Sequence, residues 1–165
     1  MAILIGAYSC KKPCAEKGGP LSQEERSWFV QPNGGTAVYI LEGTSTTDTV
    51  AIGVFAIQNR MGHFYREEHC EWGYEAGTQL VAPGVIVEVE HYATGTEGNL
   101  NSARIFGMHF SDYTPQNGVS VNGATYDAAY VMPGNPDSQV HDIVFNKAHG
   151  LIAYTRSGQR WLRVP

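Results

Sequence analysis

Between Ser138 and Val164 the apolar and polar positions fall into three short runs separated by two reversals. Gln139–Asn146 carries Val140, Ile143, Val144 and Phe145, Gly150–Arg156 carries Leu151, Ile152 and Tyr154, and Gln159–Val164 carries Trp161, Leu162 and Val164. Gly150 and the Ser157-Gly158 pair supply residues that take positive φ cheaply, as tight turns demand. The pattern predicts a three-stranded meander. Such a meander needs more sheet to cover it, because an isolated hairpin is marginal in water.

The same period of two recurs upstream. Thr36–Leu41 and Thr47–Ile57 flank the loop Glu42–Thr46 and read as a hairpin. His63–Trp72 alternates, and Val85, Val87 and Val89 alternate with Glu88 and Glu90, a strand with one wet face. Thr94–Leu100 reads as a loop, and Arg104–Phe110 as a strand with Phe106, Met108 and Phe110 on its core side. Asn122-Gly123 between alternating runs is a type I′ hairpin signal, with Tyr126, Ala128, Tyr130 and Met132 on one face of the second strand. A helical start stands before all of these: Ser22 and Glu25 form a capping box, and Trp28 and Phe29 plug the short helix onto the sheet. The fold class is therefore all-β: a single curved antiparallel sheet, a barrel or a sandwich of roughly nine to ten strands with one short N-terminal helix.

Composition narrows the picture. A chain of 165 residues suits one domain, and 19 Gly, 8 Pro and 9 Tyr suit a β-rich fold with many turns. The net charge of −5 argues against a nucleic-acid partner, whose phosphates select basic surfaces. Residues 1–20 stand apart from the domain at 21–165. Met1–Tyr8 is apolar but shorter than the roughly 20 residues a membrane span takes. It reads as the C-terminal half of a secretory signal, followed by a Gly- and Pro-bearing tether.

Ser9-Cys10-Lys11-Lys12 after that apolar run resembles the processing site of Bacteroidetes-type lipoproteins, although Ala7 and Tyr8 depart from the usual residues before the cysteine. The C-terminal half is similar to small lipoproteins of that group as well. Gly123 and Tyr126 match a Gly-x-x-Tyr hairpin, Asn146, Lys147, Gly150, Leu151, Ile152 and Tyr154 match the next strand pair, and Gly158 and Trp161 match a terminal Gly-x-x-Trp. Leu21–Trp28 also looks like that group. The resemblance covers about half the chain and implies a fold, lipid attachment at Cys10 and a place at the outer membrane. Lys11-Lys12-Pro13 lacks the acidic residues that favour surface export, which points to the periplasmic side. With Cys10 lipidated, Cys14 and Cys70 remain as a candidate disulfide pair, worth about 4 kcal/mol on loop closure; two free thiols are the alternative. If Cys10 is not lipidated, it belongs to a short N-terminal strand.

Candidate chemistry is sparse. His63, Glu67 and His69 are metal-ligand types, but on one extended strand His63 and His69 stand about 20 Å apart, too far for one ion. A partner such as His91 or His109 would be needed. Asp142 beside His141, with Ser138 near, suggests a hydrolase, yet no G-x-S-x-G occurs and neighbours on a strand point to opposite faces. Cys70 with a His is a possible nucleophile pair, which a disulfide explains more simply. Among the aromatics, Trp161 flanked by Arg160 and Arg163 is the candidate binding group, half exposed on its parity. The expected function is thus a non-catalytic envelope lipoprotein that binds or scaffolds, without a cofactor. A glycan- or peptide-binding module using exposed aromatics is the first alternative, and a metal-dependent hydrolase the second.

Overall fold

The computed structural model describes residues 21–29, 35–53, 56–63, 71–94, 98–135 and 137–165. One helical turn, α1 (Gln23–Arg26), precedes β1 (Thr36–Leu41), β2 (Thr47–Ala51), β3 (Ala56–His63), β4 (Glu71–Ala82), β5 (Val85–Thr94), β6 (Gly98–Ile105) and the two-residue β7 (Met108–His109). A 3-10 turn, Phe110–Asp112, leads to β8 (Val119–Val121), β9 (Ala124–Tyr126), β10 (Tyr130–Met132), β11 (Val140–Asn146), β12 (Gly150–Arg156) and β13 (Gln159–Arg163). Every strand pairing among the described residues is antiparallel.

The strands form a six-stranded sheet in the order β10-β11-β12-β13-β1-β2, a second sheet in the order β3-β4-β5-β6-β7, and the separate hairpin β8-β9. Neither large sheet closes on itself, so the architecture is two open sheets rather than a barrel. Their inner faces share one core: Tyr39, Met132, Ile143, Phe145, Leu151 and Tyr154 from the first meet Val81, Val85, Val87, Val89 and Ile105 from the second. The hairpin covers the other face of the first sheet, where Val121 and Tyr126 pack on Val144, Ile152 and Ala153. Covering both faces explains why β12 is buried over six of its seven residues.

The predicted meander folds as β11, β12 and β13, with Gly150, Ser157 and Gly158 at φ 79°, 51° and 74°. Asn122 and Gly123 sit at φ 48° and 78°, the type I′ geometry, between Val121 and its partner Ala124. The capping box also forms: Ser22 Oγ accepts from Glu25 N at 3.2 Å, and Glu25 Oε2 accepts from Ser22 N at 2.6 Å. Phe29 is buried, and Trp28 stacks on Phe110 at 4.2 Å with Lys147 Nζ 3.9 Å from its ring.

Strands outnumber the expected nine or ten because several apparent strands are broken. The run Thr47–Ile57 splits: Ile52 N donates to Gly35 O, Gly53 N donates to Leu80 O at 2.7 Å, and β3 joins the other sheet. His63–Trp72 is no single strand either, since β3 and β4 run antiparallel with Gly62 opposite Trp72 and His63 opposite Glu71. The expected loop Thr94–Leu100 shrinks, because β6 starts at Gly98, opposite Thr94. Arg104–Phe110 folds back on itself at Phe106-Gly107, φ 48° and 77°, so Ile105 faces Met108. Tyr126 and Met132 do not share a strand: Ala128 at φ 52° breaks the run, and the two residues enter different core clusters. A single positive-φ residue or a change of sheet partner, which period two cannot register, ends an alternating run.

Candidate functional site: a cleft between the hairpin and the first sheet

The hairpin caps only part of the outer face it lies on. Its tip is held where β13 ends, Asn122 Nδ2 donating to Arg163 O at 3.1 Å. Its base is held by Asn146, whose Nδ2 donates to Asp127 O at 2.5 Å while its Oδ1 accepts from Ala148 N at 2.7 Å and His149 N at 3.0 Å. Asn146 is 5% exposed, so one buried amide fixes both the β11–β12 turn and the hairpin above it. Asp127 Oδ1 then accepts from Gly118 N, and Asn117 Oδ1 from Ala128 N, which ties the two ends of the hairpin together.

What the hairpin leaves open is a shallow cleft of about 490 Å3 over β1 and the end of β13. One wall is Ala124, Thr125 and Tyr126, and the other is Thr36, Val38 and Val164. His149 and Arg163 close one side: Tyr126 meets the His149 ring edge-on at 5.4 Å, and Arg163 Nη1 donates to the His149 carbonyl. The wall exists because residues at the two ends of the domain pair, Ile40 with Leu162 and Leu41 with Trp161, and Val164 N donates to Val38 O at 2.8 Å. Beneath it Tyr39 is 1% exposed and its hydroxyl donates to Leu151 O at 3.0 Å. Burial pushes the Tyr39 phenol well above its ordinary 10.0, against a downward pull from the Arg163 charge.

The three residues singled out as a binding group separate. Trp161 is 8% exposed rather than half exposed, because the second sheet covers its face; its indole N–H has no hydrogen-bond partner. Arg160 lines no part of the cleft; its carbonyl accepts from Glu42 N. Arg163 alone reaches the cleft. Tyr126, His149, Thr36 and Val38 were not singled out as binding groups by sequence reasoning, because the pairing of β1 with β13 that assembles them is not local.

The His141–Asp142 pair is a correction. The two side chains lie on one side, His141 Nδ1 to Asp142 Oδ2 at 2.9 Å, because Asp142 sits at φ 49° in a bulge where the register skips from His141 to Val144. The opposite-face argument holds only for regular strand. Thr155 Oγ1 donates to the same carboxylate oxygen at 3.4 Å, and the Asp142 backbone N–H donates to Pro133 O at 2.8 Å. Ser138 takes no part in the pair. Its Oγ lies 2.6 Å from the carbonyls of Asn135 and Val140.

Cys10, Cys14, Cys70, Glu67 and His69 lie outside the described residues. The spacing argued for His63 and His69 assumed one extended strand at roughly 3.3 Å per residue; His63 ends β3 opposite Glu71, and His69 lies outside the described residues. Among the described residues no group of three or more His, Cys, Asp or Glu converges on one point. A second hollow, about 250 Å3, lies beside α1 and is walled by Trp28, Phe110, Tyr113 and Tyr130. Burial, and then the Glu24 charge, raise the Tyr130 phenol there.

Comparison with protein-family models, with curated proteins and with solved structures finds no match in any of the three.

Proposed function

We propose that this chain is a non-catalytic binding or scaffolding module of the cell envelope, tethered to the outer membrane by lipid on Cys10 and facing the periplasm. The cleft between β9 and β1 carries the binding part of this reading. Its volume of about 490 Å3 falls in the range of small-ligand sites, and it combines apolar walls with a few polar groups. The resemblance of Ser9–Lys12 to a lipoprotein processing site supports the tether.

A glycan- or peptide-binding role fits the cleft better than stacking on a broad aromatic platform. Among the described aromatics, Tyr39, Tyr126, Tyr154, Phe110, Phe145 and Trp161 are buried in the two cores. Tyr126 alone of these also edges the cleft. The test is a titration of 15N-labelled protein with soluble wall fragments, monosaccharides and short peptides. Amide shifts clustered at Thr125, Tyr126, Val38 and Val164 are expected. Shifts confined to another face, or none with any probe, contradict the reading. Mass spectrometry of membrane-extracted protein tests the tether: a diacylglyceryl peptide starting at Cys10 is expected, and an intact Met1 in the soluble fraction contradicts it.

A further inference from the structure

Side chains alternate along a strand, so a surface that meets one face of a strand is lined by every second residue. Ala124, Thr125 and Tyr126 are consecutive, and all three line the cleft. Tyr126 and Ala124 pack down on the first sheet while Thr125 is exposed, so the hairpin lies flat and turns the edge of β9 to the cleft. That edge is open, because among the described residues β9 pairs with β8 alone. The closing pair of the two-residue turn, Val121 and Ala124, exchanges both backbone hydrogen bonds. The next pair, Ser120 and Thr125, is then of the non-bonded kind, and the Thr125 N–H and C=O point away from β8, over the cleft.

The floor below that edge is the outer face of β1 beside Val164, with Thr36 and Val38 exposed and Ala37 between them turned to the core. Four large hydrophobic side chains are exposed among the described residues, and two of them, Val38 and Val164, meet here. One donor and one acceptor at an edge, above an apolar floor, match a polypeptide main chain, which carries the same pair at every residue. A residue opposite Thr125 turns its side chain outward, as Thr125 does, and the side chains before and after it fall on Val38 and Val164. A second copy's β9 does not fit this place. Its Tyr126 face is already packed on its own sheet, which would have to occupy the space that β1 fills.

We propose that the cleft takes an extended peptide segment as a third, antiparallel strand on β9, paired through the Thr125 N–H and C=O, with alternate apolar side chains on Val38 and Val164. This rests on the reading that the cleft is the binding surface, and it adds the class of ligand and the form in which it is held.

The experiment titrates the full 15N-labelled chain with three capped pentapeptides that carry valine, leucine or phenylalanine at the second and fourth positions and threonine at the others, following amide shifts. At least one peptide is expected to shift Thr125, Val38 and Val164 and to slow exchange of the Thr125 amide. Methylating that peptide's threonine nitrogens, which removes the donors turned to β9, is expected to weaken it about tenfold or more, whereas methylating its other nitrogens leaves binding within about twofold. Val38→Asp, at an exposed position, is expected to weaken the same peptide about fivefold. Cleft shifts indifferent to which nitrogens are methylated, or a peptide unaffected by Val38→Asp, overturn the added strand while leaving the cleft reading intact. Cleft shifts with monosaccharides or wall fragments but with none of the peptides do the same. Thr125 shifts that grow with protein concentration alone place a second copy on the edge and overturn the peptide as occupant. An absence of cleft shifts with every probe overturns both readings.

Discussion

Replacing Asn146 with alanine should loosen the hairpin and the cleft wall together. The side chain is 5% exposed and makes three hydrogen bonds, to Asp127 O, Ala148 N and His149 N. At about 1 kcal/mol net for each bond, the full loss is about 3 kcal/mol. Ala148 and His149 lie in an exposed turn, so their amides regain water when the side chain goes. That lowers the expected loss to about 2 kcal/mol. For a domain of this size it corresponds to a fall in Tm of about 4–8 °C. Urea unfolding followed by tryptophan fluorescence measures it: the midpoint should drop at unchanged slope. Because the His149 carbonyl also receives Arg163, the amide resonances of His149 and Arg163 should shift in the variant. A destabilisation under about 0.5 kcal/mol, the range of ordinary surface substitutions, would refute the claim that one buried amide holds these elements together.

Other outcomes follow from the same geometry. A Cβ at Gly53 would sit 2.7 Å from Leu80 Cβ and 3.3 Å from the Leu80 backbone, so Gly53→Ala should force the sheets apart and cost about 1–3 kcal/mol in urea unfolding. Asp142 holds φ 49°, so Asp142→Gly, which relieves the backbone, should destabilise less than Asp142→Ala by about 1 kcal/mol, and equal losses would deny that the conformation matters. The buried Tyr39 and Tyr154 phenols are both raised, chiefly by burial, so they stay neutral in the fold at a pH where the unfolded chain ionises. Their stabilisation is therefore complete below the ordinary phenol pKa of about 10 and declines above it, for Tyr39 by up to about 1.4 kcal/mol per pH unit. Tyr39→Phe should flatten that decline in urea midpoints between about pH 9 and pH 11, and an unchanged slope would count against Tyr39 as a source.

The local grammar of the chain was largely readable. The Asn122-Gly123 turn, the Ser22–Glu25 capping box and the three C-terminal strands follow from residue types within a few positions of each other, and the structure has them where the pattern puts them. Partner choice was not readable. Nothing around Gly53 states that β2 ends in one sheet and β3 begins in another, and nothing around Trp161 states that a second sheet covers it. The His141–Asp142 contact failed for a related reason: a bulge moves one residue across the sheet, and its signature is a positive φ at an Asp, a residue that tolerates that region without demanding it. Of the candidate binding groups, Arg163 alone is among the residues that line the cleft. Its neighbours arrive from β1 and β9, which are distant in sequence.

Everything proposed for the cleft depends on β1 lying against β13, a pairing between residues at opposite ends of the domain. Through-space NOE spectroscopy of the full chain tests it directly. Cross-strand contacts between Ile40 and Leu162, and a slowly exchanging Val164 amide bonded to the Val38 carbonyl, are predicted. Contacts that instead place β13 at a sheet edge, with β1 paired elsewhere, would remove the cleft and the function built on it.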